Sequence, residues 1–170
     1  MVKVFESTRE NYLSKFSSDA QVIVMFFGTK HGVIGGGASR EIRAKAAEIA
    51  SKVNLKDREG RLWMVPGQLE WPPGSPHWNG RPTRSVWFAL IPVQQTEFSG
   101  GLRSSLRLLD KWLENTGMPL KVAIDADFPY YYGAPKDTPV TRHARTMDTI
   151  AQLEKYLGRW EVDAYERETP

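Results

Sequence analysis

Cysteine is absent from the 170 residues, which excludes disulfides and thiolate metal sites. Histidine is scarce: His31, His77 and His143 stand far apart. Metal ligands usually sit at tighter spacing, so the sequence implies no metal and no cofactor. No run approaches the ~18 consecutive apolar residues of a membrane-spanning helix. Met1-Val2-Lys3-Val4 lacks the apolar stretch of a secretion signal, and a cytoplasmic location without membrane attachment is the expectation. Neither sign of charge dominates, with 23 Lys and Arg against 20 Asp and Glu, a net +3. The basic residues are scattered rather than clustered into an arm, so a nucleic-acid partner is only weakly indicated. What remains is an ordinary soluble composition, 41% hydrophobic and 25% charged, in a chain of the length of one domain with a real core.

Glycine, by contrast, is concentrated. Five of the fourteen glycines fall in Gly28-Thr29-Lys30-His31-Gly32-Val33-Ile34-Gly35-Gly36-Gly37-Ala38-Ser39-Arg40. This stretch follows the apolar run Val22 to Phe27 and precedes apolar residues at helical spacing, Ala38, Ile42, Ala46, Ile49 and Val53. A strand, a glycine loop and a helix in that order bring bare backbone N–H groups to a helix N-terminus, where an anion is favoured. A small nucleotide bearing phosphate is the expected partner. The plain alternative is a tight turn with no ligand. Lys30, His31 and Arg40 would add charge-assisted contacts to a phosphate, or simply be solvated. Ser39 has no adjacent general base and reads as an N-cap or phosphate contact rather than a nucleophile.

Further elements follow from patterning. Val2 to Phe5 reads as an edge strand, and Ser7 to Phe16 as a turn or two of helix. The continuous apolar run Val22 to Phe27 suits a strand buried on both faces. Leu62 to Val65 reads as a strand stopped by Pro66-Gly67. Gln68 to Thr83 carries Trp71, Trp78 and four prolines and reads as a long loop: a lid, a partner surface or a self-packed segment. Ser85 to Ile91 is a strand. Ser99 then caps a helix whose apolar face is Leu102, Leu106, Leu109 and Leu113, ended by Gly117. Leu120 to Ile124 is a strand, and Asp125 to Val140 a second long loop. Thr141 to Leu157 reads as a helix with Met147, Ile150, Leu153 and Leu157 inward, and Trp160 to Tyr165 as the last strand. Strands alternating with helices predict a single-domain α/β fold over residues 1–170, a three-layer α/β/α sandwich with a mixed central sheet. Ligands in such folds bind beyond the carboxyl ends of the strands. Both unusual loops leave such ends, one after Phe27 and one after Ile124.

Asp125 and Asp127 are the candidate catalytic pair, two close carboxylates able to position water or act as acid and base. The competing reading is a pair of loop caps. Tyr130, Tyr131 and Tyr132 can stack on a base or pack inward.

With this order, the chain resembles the macrodomain family, which binds ADP-ribose and related compounds. Three patches carry the resemblance. Val4-Phe5-Glu6-Ser7-Thr8 lies where the family has a strand ending in a Gly-Asp-Ile-Thr-like motif, and the resemblance implies that Glu6 contacts adenine. Asp19 through Ile42 is similar to the family's strand, loop, triple glycine and helix, which implies that Gly28 and Gly35-Gly36-Gly37-Ala38 line the ligand and hold phosphate. Val122 through Pro135 lies without gaps on the family's strand and phosphate-binding loop, with Tyr132, Gly133 and Pro135 on matching residue types. Phe128, Tyr130, Tyr132 and Gly133 then close the other side of the ligand. Two departures bear on chemistry. Phe26-Phe27-Gly28-Thr29 stands where many family hydrolases have asparagines, so no carboxamide is there to orient a ribose or water. Phe128 and Tyr130 stand near positions where the family uses glycine. The function implied is binding of ADP-ribose or a related adenosine-diphosphate derivative, with hydrolysis falling to Asp125 or Asp127 if it occurs. The alternative is a protein- or nucleic-acid-interaction module on a degenerate nucleotide-binding fold.

Overall fold

Valine, isoleucine and the aromatics favour a pleated, packed surface, and the seven-residue run VIVMFFG becomes the central strand of the protein. The computed structural model describes residues 1–6, 20–28, 32–33, 61–70, 83–93, 98–125 and 139–166. Its strands are β1 (Val2–Glu6), β2 (Val22–Gly28), β3 (Gly32–Val33), β4 (Trp63–Glu70), β5 (Thr83–Val93), β6 (Lys121–Asp125) and β7 (Glu161–Glu166). Its helices are α1 (Phe98–Thr116) and α2 (Pro139–Leu157). Six strands lie in the order β1-β7-β6-β2-β5-β4, and β3 pairs with β2. β1, β7, β6, β2 and β5 are mutually parallel. β4 on β5 and β3 on β2 are antiparallel. The sheet is therefore mixed, with helices between its parallel strands.

Alternation along each strand assigns the two faces. Val22, Val24, Ala89, Ile91, Val122, Ile124, Val162 and Ala164 pack on Leu102, Leu106, Leu109 and Leu113 of α1 and on Ile150, Leu153 and Leu157 of α2. Between them on the opposite face stand Ile23, Met25, Phe88, Leu90, Ala123 and Tyr165, equally removed from solvent. Both faces are thus covered, as a largely parallel sheet requires. The four leucines of α1 recur at helical spacing and drive its docking. Buried Ser105 on the same side donates from Oγ to the Arg61 carbonyl at 2.7 Å. Gly117, with φ 65°, ends α1 in the left-handed conformation that glycine adopts most readily.

Four local expectations are corrected. Pro66-Gly67 does not stop the strand: β4 runs through both to Glu70. Among the described residues β4 pairs with β5 alone, and on the unpaired side of such a strand a proline's missing N–H costs no ladder bond. Gln68 to Glu70 and Thr83 accordingly belong to strands rather than to the loop. α1 begins at Phe98, so Ser99 lies in its first turn instead of capping it. Met147 faces outward, 46% exposed, and the inward positions of α2 are Thr146, Thr149, Ile150, Leu153 and Leu157. The turn of the helix places 146, 149/150, 153 and 157 on one stripe, and position 147 falls off it. The expected helices at Ser7 to Phe16 and Ala38 to Val53 lie outside the described residues. Among the described residues, no helix is long and apolar enough to cross a membrane.

Candidate functional site

Five parallel strands put five carboxyl ends on one edge of the sheet. The register aligns Glu6 with Glu166, Tyr165 with Asp125, Ile124 with Val24, and Gly28 with Val93. Glu6, Gly28 and Asp125, drawn from three separate stretches of sequence, therefore share this edge. β7 and β6 separate β1 from β2, so Glu6 and Gly28 stand about 14 Å apart across the sheet, counted as three strand spacings. Asp127, Gly35, Gly36, Gly37, Ala38, Phe128, Tyr130, Tyr132 and Gly133 lie outside the described residues, as do Lys30, His31, Ser39 and Arg40.

The chain's winding reverses at β2. From β5, which flanks β2 on one side, it passes through α1 to β6 on the other side, then through α2 to β7. Gly28 and Asp125 end the two strands at this switch point, the place where open α/β sheets receive ligands. β2 and β6 pair only over Val22–Val24 and Val122–Ile124. β2 continues to Gly28 with β5 on one flank, and on the flank that β6 has left it pairs with β3, Phe27 with Val33 and Gly28 with Gly32. Gly28 is thus the last residue of a strand paired on both sides. Its sequence context suggests the start of a loop leading straight to a helix; a short hairpin intervenes, because Val33 returns beside Phe27 and extends the ladder.

The electrostatics of this edge are of two kinds. Glu6 is exposed, and its strand neighbour in register is Glu166. A carboxylate such as that of Glu6 accepts hydrogen bonds from amino or hydroxyl groups. Against it stand two helix dipoles. α1 ends five residues before β6 begins and α2 four before β7; each runs about 28 Å, so both amino ends point back to the carboxyl edge. Neither helix carries an acid within its first turn; in the sequence Glu97 directly precedes α1 and Asp137 stands two residues before α2, both outside the described residues. Beneath Glu6, Phe5 stacks on the fully buried Tyr165, centroids 5.7 Å apart at 29°. Nothing in the sequence pattern signals this aromatic pair. Its partners are 160 positions apart, and only the parallel β1–β7 register joins them. Among the described residues, no three His, Cys, Asp or Glu side chains group as a metal site would require.

A groove of about 470 Å³, lined by Gln21, Pro66, Gln68, Ser85, Trp87 and Leu120, opens on the opposite edge. Gln21 and Leu120 directly precede β2 and β6 there. Glu70 and Thr83, which flank the Trp/Pro-rich stretch, pair with each other on that same side. Trp71 and Trp78 lie outside the described residues, but the stretch is anchored on the edge away from Gly28 and Asp125.

No family model and no curated protein matches the sequence. Solved structures do match the fold. The macrodomain of Thermus aquaticus DarG aligns with TM-score 0.54 and 12% identity over 99% of this chain and 98% of that one. The macrodomain of Mycobacterium tuberculosis DarG aligns with TM-score 0.55 and 11% identity over 99% of both chains. Thermosipho africanus DarTG in complex with ADP-ribose aligns with TM-score 0.50 and 19% identity over 90% of this chain and 39% of that one. The sheet order, the placement of the helices and these whole-chain likenesses together give the protein the macrodomain fold.

Proposed function

We propose that the protein binds ADP-ribose or a related adenosine-diphosphate derivative across the carboxyl edge of its sheet. The observation that carries this reading is the convergence of Glu6, Asp125 and Gly28 on one edge, with the last two at the switch point. Two helix amino ends point to the same edge, and the positive end of a helix dipole favours an anion such as a diphosphate. The fold is shared with Thermosipho africanus DarTG, whose structure is a complex with ADP-ribose. In this reading Glu6 accepts from the base, and Gly35 to Ala38, which begin two residues after Val33, hold phosphate through backbone N–H groups. Asp127 to Gly133 close the other side. Asp125 and Asp127 are the groups that would position water if the ligand is also hydrolysed.

Thermal stabilisation against ADP-ribose, ADP, AMP, NAD and inorganic phosphate tests it. A ligand at 100 times its Kd adds about 2.7 kcal/mol. A shift with the adenosine-diphosphate compounds, abolished by Gly36→Val, supports the reading. No shift with any of them overturns it.

A further inference from the structure

We infer that the groove at the amino edge of the sheet binds a proline-rich peptide segment in the polyproline II conformation, packed on the Trp87 ring. This is a second site, on the edge opposite Gly28 and Asp125, and it stands whether or not a nucleotide binds there.

The groove, about 470 Å³, falls in the range of small-ligand sites. Pro66 and Gln68 of β4 and Ser85 and Trp87 of β5 line it from alternate positions, and so from one face of each strand. The register sets Pro66 opposite Trp87 and Gln68 opposite Ser85. Trp87 is 37% exposed, although Ala89 and Ile91, the next residues on its face, are fully buried. Its ring is held in place, because Trp112 of α1 meets it edge-on, centroids 5.3 Å apart at 66°. Gln21 is held as firmly. Its backbone N–H donates to the Lys121 carbonyl at 3.0 Å, and its carbonyl accepts from the Trp87 N–H at 2.8 Å. Its side-chain Oε1 accepts from the Lys121 N–H at 2.8 Å. An exposed indole on a fixed platform beside a fixed carboxamide is ordered before any ligand arrives, which lowers the entropy cost of binding.

Charge, hydrogen bonding and shape select the occupant. No lining residue is charged, so the groove offers a phosphate backbone no countercharge. The open hydrogen-bonding capacity is of the donor kind. The Lys121 N–H engages Gln21 Oε1 and leaves the two N–H of Nε2 to a ligand. The Trp87 indole, too, carries a donor and no acceptor. A proline-rich segment is the complement: it keeps every backbone carbonyl, lacks an N–H at each proline, and makes no internal hydrogen bond in polyproline II. A sugar hydroxyl both donates and accepts and matches this set less well. β4, β5, β2 and β6 are consecutive in the sheet, so a groove from Pro66 to Leu120 crosses them over about 14 Å, three strand spacings. That is the length of roughly four to five polyproline II residues at about 3.1 Å each. The groove runs across the strands rather than along one. Its occupant therefore packs rings on the indole, as proline-rich segments do in aromatic-lined grooves, instead of adding a strand to the sheet.

Proton–nitrogen correlation NMR of the intact chain, titrated with capped decaproline to about 1 mM, tests the inference. A capped glycine-serine peptide of equal length and maltotriose are the controls. The expected result is a saturable shift of the Trp87 indole N–H with decaproline alone, unchanged at about 0.5 M NaCl. Gln21→Glu keeps an oxygen to accept from the Lys121 N–H and removes the side-chain donors, and it should weaken decaproline binding about tenfold. Trp87→Ala should abolish binding. Failure of decaproline to shift Trp87 overturns the inference. So does a response to the glycine-serine peptide or maltotriose as strong as that to decaproline, or binding that is lost in salt. Trp87→Ala also removes the contact with Trp112; if that variant does not fold, Gln21→Glu decides, and undiminished binding by a folded Q21E protein overturns the inference.

Discussion

The Lys121 ammonium stands 3.1 Å from the carboxylate of Asp163, which is only 2% exposed, on the sheet face otherwise built from Ile23, Phe88, Leu90 and Tyr165. The two residues lie on neighbouring parallel strands, two residues out of register and so on the same face. A charge that deep is held by its partner, and removing one member leaves the other buried and uncompensated. Lys121→Met should therefore destabilise the protein by about 3 kcal/mol. Asp163→Asn combined with Lys121→Met should cost less than the sum of the two single changes. Urea denaturation of the four proteins gives the coupling, and additive effects would show that the pair does not act as a unit.

How much of this could be read from sequence divides along a physical line. Val22 to Phe27 and the leucine stripe of α1 were legible because each pattern is local and repeats at its element's own period. The carboxyl edge was legible in outline, since the loops after Phe27 and Ile124 follow strands in a βαβ order. Four features were not. The run through Pro66 depends on β4 being an outer strand, which is a fact of sheet order. The Phe5–Tyr165 stack and the Lys121–Asp163 pair depend on parallel register between strands that are distant in sequence or joined through a helix. The β2–β3 hairpin was hidden because a glycine-rich stretch reads as a loop whether or not two of its residues return to the ladder.

Asp110 shows how acid should act on this protein. Partial burial pushes its carboxyl upward, but hydrogen bonds from Arg159 Nε at 2.8 Å and Trp160 Nε1 at 2.7 Å, with the guanidinium's charge, hold it below the ordinary value of 3.8. A depressed carboxyl contributes stability above its unfolded-state value and loses it as pH falls through the folded-state one. Asp110→Asn should cost no more than about 1 kcal/mol at neutral pH, because Arg159 is half exposed and solvent screens the pair. The gap between the wild type and Asp110→Asn should be constant from pH 7 to 5 and shrink below 3.8. Denaturation midpoints at three pH values check it, and a gap that widens in acid would contradict the assignment.

Leu109 is fully buried within the cluster that joins α1 to the sheet. Leu109→Ala removes packed atoms and leaves a cavity, at a cost of about 2–5 kcal/mol. Leu108, the preceding residue, is 40% exposed, and Leu108→Ala should stay within about 0.5 kcal/mol of wild type. Comparable losses at both positions would mean that α1 is rotated from the orientation described.

Two glycines at helix ends are required for different reasons, and substitution separates them. Gly117 follows α1 at φ +65°, and a Cβ there meets nothing within 4 Å. Its constraint is conformational, so Gly117→Ala should cost about 1 kcal/mol, and Gly117→Asn less, since asparagine tolerates that region. Gly158 follows α2 without a left-handed φ, but a Cβ there would collide with the Glu154 carbonyl oxygen. That neighbour is backbone in the last turn of a helix and cannot swing aside. Gly158→Ala must therefore shift the junction between α2 and β7, including the Trp160 N–H bond to the Leu157 carbonyl at 2.9 Å, at a cost of about 1–3 kcal/mol. Asparagine relieves strain only at the first site: Gly158→Asn should be no better than Gly158→Ala, whereas Gly117→Asn should recover part of the loss. In a chain of this size 1 kcal/mol moves the melting temperature by about 2–4 °C, so thermal melts of the four variants resolve the pattern. Equal recovery by asparagine at both positions would show that the two glycines share one conformational role.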